Sequence, residues 1–76
     1  MSLLHILRSA DCDDALGVIR TQADAGVDVC VVLEGDQPVP SGVTTYALGN
    51  PRDGAESIDN AKLVELIFAA DSVITW

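Results

Sequence analysis

Residues 11–14, Asp-Cys-Asp-Asp, follow an apolar run holding His5 and Arg8, and here the chain gathers its side chains able to do chemistry. Cys12 falls at the start of a predicted helix, where the backbone N–H groups and the helix dipole favour a thiolate. A thiolate there could carry sulfur or take part in redox exchange, so Cys12 is the candidate catalytic residue. Asp11, Asp13 and Asp14 oppose that chemistry, because like charges raise a thiol's pKa. The alignment of Cys12 with Leu16, Ile19 and Ala23 also suits a buried thiol at the head of a packed helix face. The cluster has neither zinc nor calcium spacing, so no metal and no cofactor are expected. A single histidine inside an apolar strand reads as a hydrogen-bonded core residue, which leaves no Ser-His-Asp arrangement to argue. Arg8 is expected to pair with the nearby aspartates. Gly35, Gly42, Gly49 and Gly54 are scattered turn glycines without phosphate-cradling spacing.

The elements that must position these groups follow from apolar patterning. Residues 3–8 form a short apolar strand ended by Ser9-Ala10-Asp11, and Asp11 is placed to cap the helix that follows. Cys12, Leu16, Ile19 and Ala23 make one face of that helix, which stops at Gly26. Residues 27–33 are rich in β-branched types and form a second strand holding Cys30, a small thiol expected to be buried. The helical link makes this a βαβ unit. Two loops, 34–42 and 49–56, bracket a third strand at 43–48. A helix at about 60–70, capped by Asp59 or Ser57, leads to a fourth strand at 72–76. The expected fold is therefore α/β: one domain over residues 1–76, with a mainly parallel four-stranded sheet and two helices.

Composition narrows the function classes. Of 76 residues, 49% are hydrophobic, and twelve acids against four bases give a net charge of −8. Arg8, Arg20, Arg52 and Lys62 are dispersed, so no basic stripe exists to neutralise phosphates and direct nucleic-acid binding is not expected. No apolar run reaches membrane-spanning length and no signal-type segment opens the chain, which predicts a cytoplasmic, non-membrane protein. Two cysteines do not make a disulfide framework. The last helix is apolar nearly all round, and a helix of that kind normally has both sides covered. So small a domain covers about 60% of its unfolded surface. Leu63, Ile67, Phe68 and the sole tryptophan, Trp76, are therefore expected at a subunit interface, with Trp76 buried at or beside the contact as an anchor of the hot-spot type, a core plug or a disordered end being the alternatives.

Several segments, taken in order, resemble the DsrH/TusB branch of the DsrE/DsrF/DsrH-like family of small sulfur-relay proteins. These are Leu3-Leu4-His5 with Ser9; Ala25-Gly26-Val27 leading to Leu33-Glu34-Gly35-Asp36; and Thr45-Tyr46-Ala47-Leu48. The C-terminal match is the fullest: Ile58-Asp59-Asn60, Leu63-Val64-Glu65-Leu66 and Asp71-Ser72-Val73-Ile74-Thr75-Trp76. The resemblance implies a three-layer α/β/α domain, assembly into homo-oligomers or with DsrE/DsrF-like partners, and persulfide transfer, as in tRNA wobble-uridine thiolation or sulfur oxidation. It also implies that the final strand lies beside the first. The chain departs from the family in its short 49–56 segment and in lacking a cysteine after Cys30, where other branches place their sulfur carrier. The resemblance thus implies a subunit acting in assembly rather than a transferase. A carrier using Cys12 and a small-ligand module at the sheet end are the alternatives.

Overall fold

The computed structural model describes residues 2–9, 13–35, 37–40, 42–49 and 52–76. Its elements are β1 (Ser2–Leu7), α1 (Asp13–Asp24), β2 (Asp28–Leu33), β3 (Thr44–Leu48), β4 (Glu56–Ile58), α2 (Asn60–Ala69) and β5 (Ser72–Thr75). All five strands join one sheet in the order β4-β3-β2-β1-β5, and every neighbouring pair is parallel. The expected α/β class holds, and the last strand does lie beside the first. The strand count is corrected from four to five. The extra strand, β4, pairs Tyr46 with Glu56 and Leu48 with Ile58 at the edge. Gly54 and Pro51 made its neighbourhood read as loop, and three residues are too few to show an alternation.

Strand alternation divides the core in two. Leu7, Val29, Val31 and Leu33 pack with Ala15 and Ile19 of α1, while Leu4, Ile6, Val32 and Ile58 pack with Leu63 and Leu66 of α2. Successive residues of a strand point to opposite faces, so each helix serves its own face of the sheet. The two coverings differ in quality. Ala15 and Ile19 of α1 are fully buried, whereas no residue of α2 is.

Helix α1 opens with Asp13 and Asp14 in its first turn, well placed against the positive end of the dipole. It closes in a Schellman motif. Gly26 takes φ 84°, the Val27 N–H donates to the Gln22 carbonyl, and the Gly26 N–H donates to that of Ala23. Helix α2 starts where Asp59 Oδ1 accepts the Lys62 N–H at 2.9 Å, a standard N-cap. Past its end, the Asp71 N–H donates to the Ser2 carbonyl at 3.0 Å and the Asp71 carboxylate accepts the Ser2 N–H at 2.7 Å. That pair of hydrogen bonds fixes the α2–β5 turn to the first residue of β1.

Candidate functional site

Three places bring reactive or recognition-type side chains together, beginning with the C-terminal ends of the strands. Ligands in open parallel sheets gather beyond those ends, where strand order reverses; here the reversal falls between β1 and β5. Arg8, Ser9, Glu34, Thr75 and Trp76 line a shallow, open depression there. Arg8 is committed to Glu34 at 2.7 Å rather than to Asp13 or Asp14. The nearby Gln37 is buried, accepting the Gly35 N–H and donating to the Ser9 carbonyl. Arg52 donates to the carbonyls of Gly35 and Gln37, tying the 34–40 segment down. These bonds hold the loops in place around the depression. Asp11 and Cys12, the proposed cap and nucleophile, lie outside the described residues. Among the described residues no three His, Cys, Asp or Glu side chains cluster as metal ligands.

Cys30 is half-buried in β2 and packs against the α2 side of the sheet. Burial first, and then the Asp28 carboxylate, push its thiol above the ordinary range, so at neutral pH it is a protonated thiol and a poor nucleophile. Because the folded form holds that proton more tightly than the unfolded chain, its stabilising effect is complete below the unfolded thiol pKa. It is lost as pH rises through the folded value. In a Cys12→Ser background, iodoacetamide at neutral pH is therefore expected to label Cys30 more slowly than a free peptide cysteine. The gap should close on urea unfolding; labelling at the peptide rate in the folded protein would refute the assignment.

A second polar group is buried opposite, under α1. His5 is 0% exposed, and its two ring nitrogens are both engaged. The Trp76 Nε1–H donates to His5 Nδ1 at 3.0 Å, and His5 Nε2 lies 2.7 Å from Gln22 Oε1. An indole N–H can only donate, so Nδ1 must be the bare nitrogen and Nε2 carries the hydrogen given to Gln22. The rings are inclined by 21° with centroids 6.2 Å apart, as an edge-on N–H···N bond requires. His5 is thus the hydrogen-bonded core histidine expected from the sequence. Trp76 is half-buried and packs on the α1-side cluster of its own chain. Its partner Gln22 could have been found from sequence, since three residues beyond Ile19 is the next sheet-facing position of α1.

The third place is the outer surface of α2. Leu63 and Leu66 face the sheet and are half-buried, while Ile67 is 37% and Phe68 85% exposed. Val64, at 48%, and Val73 of β5, at 39%, add to this surface and were not singled out in the sequence. Their signal was the spacing 64, 67, 68, which puts three apolar side chains on one flank of a helix. The opposite flank carries Lys62, Glu65 and Ala69, with Lys62 3.8 Å from Glu65. Lys62 borders a hollow beside β3 and β4 and Ala69 one beside β1 and β2, so Ile67 lies on the flank turned away from these strands, while Phe68, about 170° round the helix from Leu63 and Leu66, points away from the sheet. No helix among the described residues is long and apolar enough to cross a membrane. Compared with protein-family models, with curated proteins and with solved structures, the chain finds no match in any of the three.

Proposed function

We propose that this chain is a non-catalytic subunit that works by holding partner chains through the apolar flank of α2. One observation carries the reading: Phe68 is 85% exposed on a helix none of whose residues is buried. Contiguous exposed apolar surface of this kind marks interaction sites. The ordered sequence resemblance to the DsrH/TusB branch supports placing that assembly in a persulfide relay, with DsrE- or DsrF-like chains as partners. The protonated state of Cys30 and the engagement of Arg8, Gln37 and Arg52 in loop anchoring favour an assembling role over a chemical one.

The test mixes the full chain with a purified DsrE/DsrF-type protein and a cysteine desulfurase with cysteine. A stable complex that Phe68→Glu abolishes, with no sulfur gained on this chain in intact-mass spectra, is the expected result. Absence of any complex, or a persulfide on Cys12 that turns over to an acceptor, would replace the reading. The latter outcome would establish the carrier function instead.

A specific feature supports a second reading, a small-ligand module, although it lies away from the sheet end. A groove of about 360 Å³ runs between Leu16, Gly17 and Arg20 of α1 and Pro38, Val39 and Val43, within the size range of ligand pockets. Arg20 makes no ion pair among the described residues, so an apolar carboxylate is the matching ligand class. A concentration-dependent rise in melting temperature with such acids, lost in Arg20→Gln, would support it; a flat response would exclude it.

A further inference from the structure

We infer that His5 and Trp76 form an acid-released latch: when His5 takes up a second ring proton the indole must leave, which opens the depression beyond the strand ends. The latch lies on the α1 side of the sheet and stands apart from the assembly reading above.

The device is a conflict of donors. In the neutral ring Nε2 gives its hydrogen to Gln22 at 2.7 Å, and bare Nδ1 accepts the Trp76 Nε1–H at 3.0 Å. A proton arriving from water has only Nδ1 to occupy, and the imidazolium then holds two donors and no acceptor. The Gln22 bond survives that change. The Trp76 bond does not, because two N–H groups now point at one another. His5 is 0% exposed, so the ring has no water to turn to. Nor does the indole face take up the charge, since the ring planes are inclined by only 21° with centroids 6.2 Å apart and the rings meet edge to edge.

Among the described residues, no charged side chain faces the ring to compensate it. Strand β1 carries no other charge, and just past it Arg8 is paired with Glu34. On β2 the neighbours on the same face are Val29, Val31 and Leu33, while Asp28 alternates to the other face with Cys30. Strand β5 is uncharged, and Asp71 before it is bound to the Ser2 N–H at the far end of β1. On α1 the sheet-facing residues are Ala15, Ile19 and Gln22, and Asp13, Asp14, Arg20 and Asp24 are exposed. A buried cation without a partner is expelled or drives its surroundings apart. Release therefore takes up a proton, and acid drives it.

The part that gives way is the edge. Strand β5 pairs with β1 alone and none of its residues is buried, whereas β1 keeps its pairing with β2 when β5 departs. Segments with few buried contacts open at least cost. Trp76 is otherwise held by its N–H to the Ile6 carbonyl and by its carbonyl, which accepts from Arg8 and Ser9. Its withdrawal removes one wall of the depression lined by Arg8, Ser9, Glu34 and Thr75, and it frees the Arg8 and Ser9 N–H groups. Those donors lie where strand order reverses, the position at which open parallel sheets take ligands.

The chain has one histidine and one tryptophan, so each ring is its own reporter. The full chain is titrated from about pH 8 to about pH 5, where histidine takes its proton and most carboxylates remain ionised. His5 ring resonances, the Trp76 indole N–H resonance, Trp76 emission and far-ultraviolet circular dichroism are followed together. The indole signals should leave their native values, with emission shifted to the red, at the pH where His5 becomes protonated, while the circular dichroism holds. In His5→Asn an amide oxygen replaces Nδ1 and accepts at every pH, so the Trp76 transition should vanish. In Trp76→Phe the opposing donor is gone, and His5 should take its proton at a higher pH than in the parent chain. The second variant decides the matter if His5→Asn fails to fold. The latch is overturned if His5 protonates with Trp76 still native, or if both rings keep their signals to pH 5. It is equally overturned if Trp76 moves only with global unfolding, if His5→Asn keeps the transition, or if Trp76→Phe leaves proton uptake unmoved.

Discussion

His5→Ala is expected to lower the unfolding free energy by about 3–4 kcal/mol, a large part of what a 76-residue domain possesses. Two losses add. Removing the ring opens a cavity at a fully buried position, and it leaves the Trp76 indole N–H and the Gln22 carbonyl oxygen without their partner. His5→Phe separates the two, because it refills the volume and restores neither bond; about half of the loss should persist. Urea denaturation followed by Trp76 fluorescence measures both variants, and the emission of the native state should itself change when the indole loses its acceptor. A cost below about 1 kcal/mol for His5→Ala would show that the triad contributes little.

The second large effect is an asymmetry between the helices. Ile19→Ala, under α1, is expected to cost about 2–4 kcal/mol, since Ile19 is 1% exposed in the middle of the larger cluster. Phe68→Ala removes a larger side chain and should change monomer stability by no more than about 0.5 kcal/mol. Thermal and urea unfolding of the two variants, at a concentration where any self-pair is dissociated, provides the comparison. If Phe68→Ala destabilised the monomer as much as Ile19→Ala, the outer flank of α2 would be core, and its reading as an interaction surface would fail.

Much of this arrangement was legible in the chain itself, for identifiable reasons. β-branched runs marked β2 and β3, the 16–19–23 spacing and Gly26 fixed α1, and Asp59 announced α2. Strand β4 escaped because its three residues are held by pairing with Tyr46 and Leu48, a non-local interaction that leaves no local pattern. The face of α1 is turned slightly from the expected one, with Ala15 buried and Leu16 only half-buried. Composition alone groups Leu63 with Ile67, but helical phase separates them, with Leu63 toward the sheet and Ile67 on the flank. Tryptophan is common at interfaces, which points Trp76 toward a subunit contact, and the chain alone leaves a core position equally open. Its bond to His5 could not be foreseen without knowing that β5 docks against β1 and which face each side chain takes. The same holds for Gln37 and Arg52, whose roles depend on loops meeting across the strand ends.

The position of β1 between β2 and β5 has a consequence for synthesis. During synthesis β1 can pair with β2 once α1 has formed, but its other side stays open until residues 72–76 emerge. Until then His5 lacks the indole, Ser2 lacks Asp71, and a row of backbone donors and acceptors on β1 is bare. Contacts this far apart in sequence form late and slowly. A nascent chain stalled before β5 would therefore present a central strand as an edge, making the emergence of residues 72–76 the moment at which β1 becomes safe from wrong pairing.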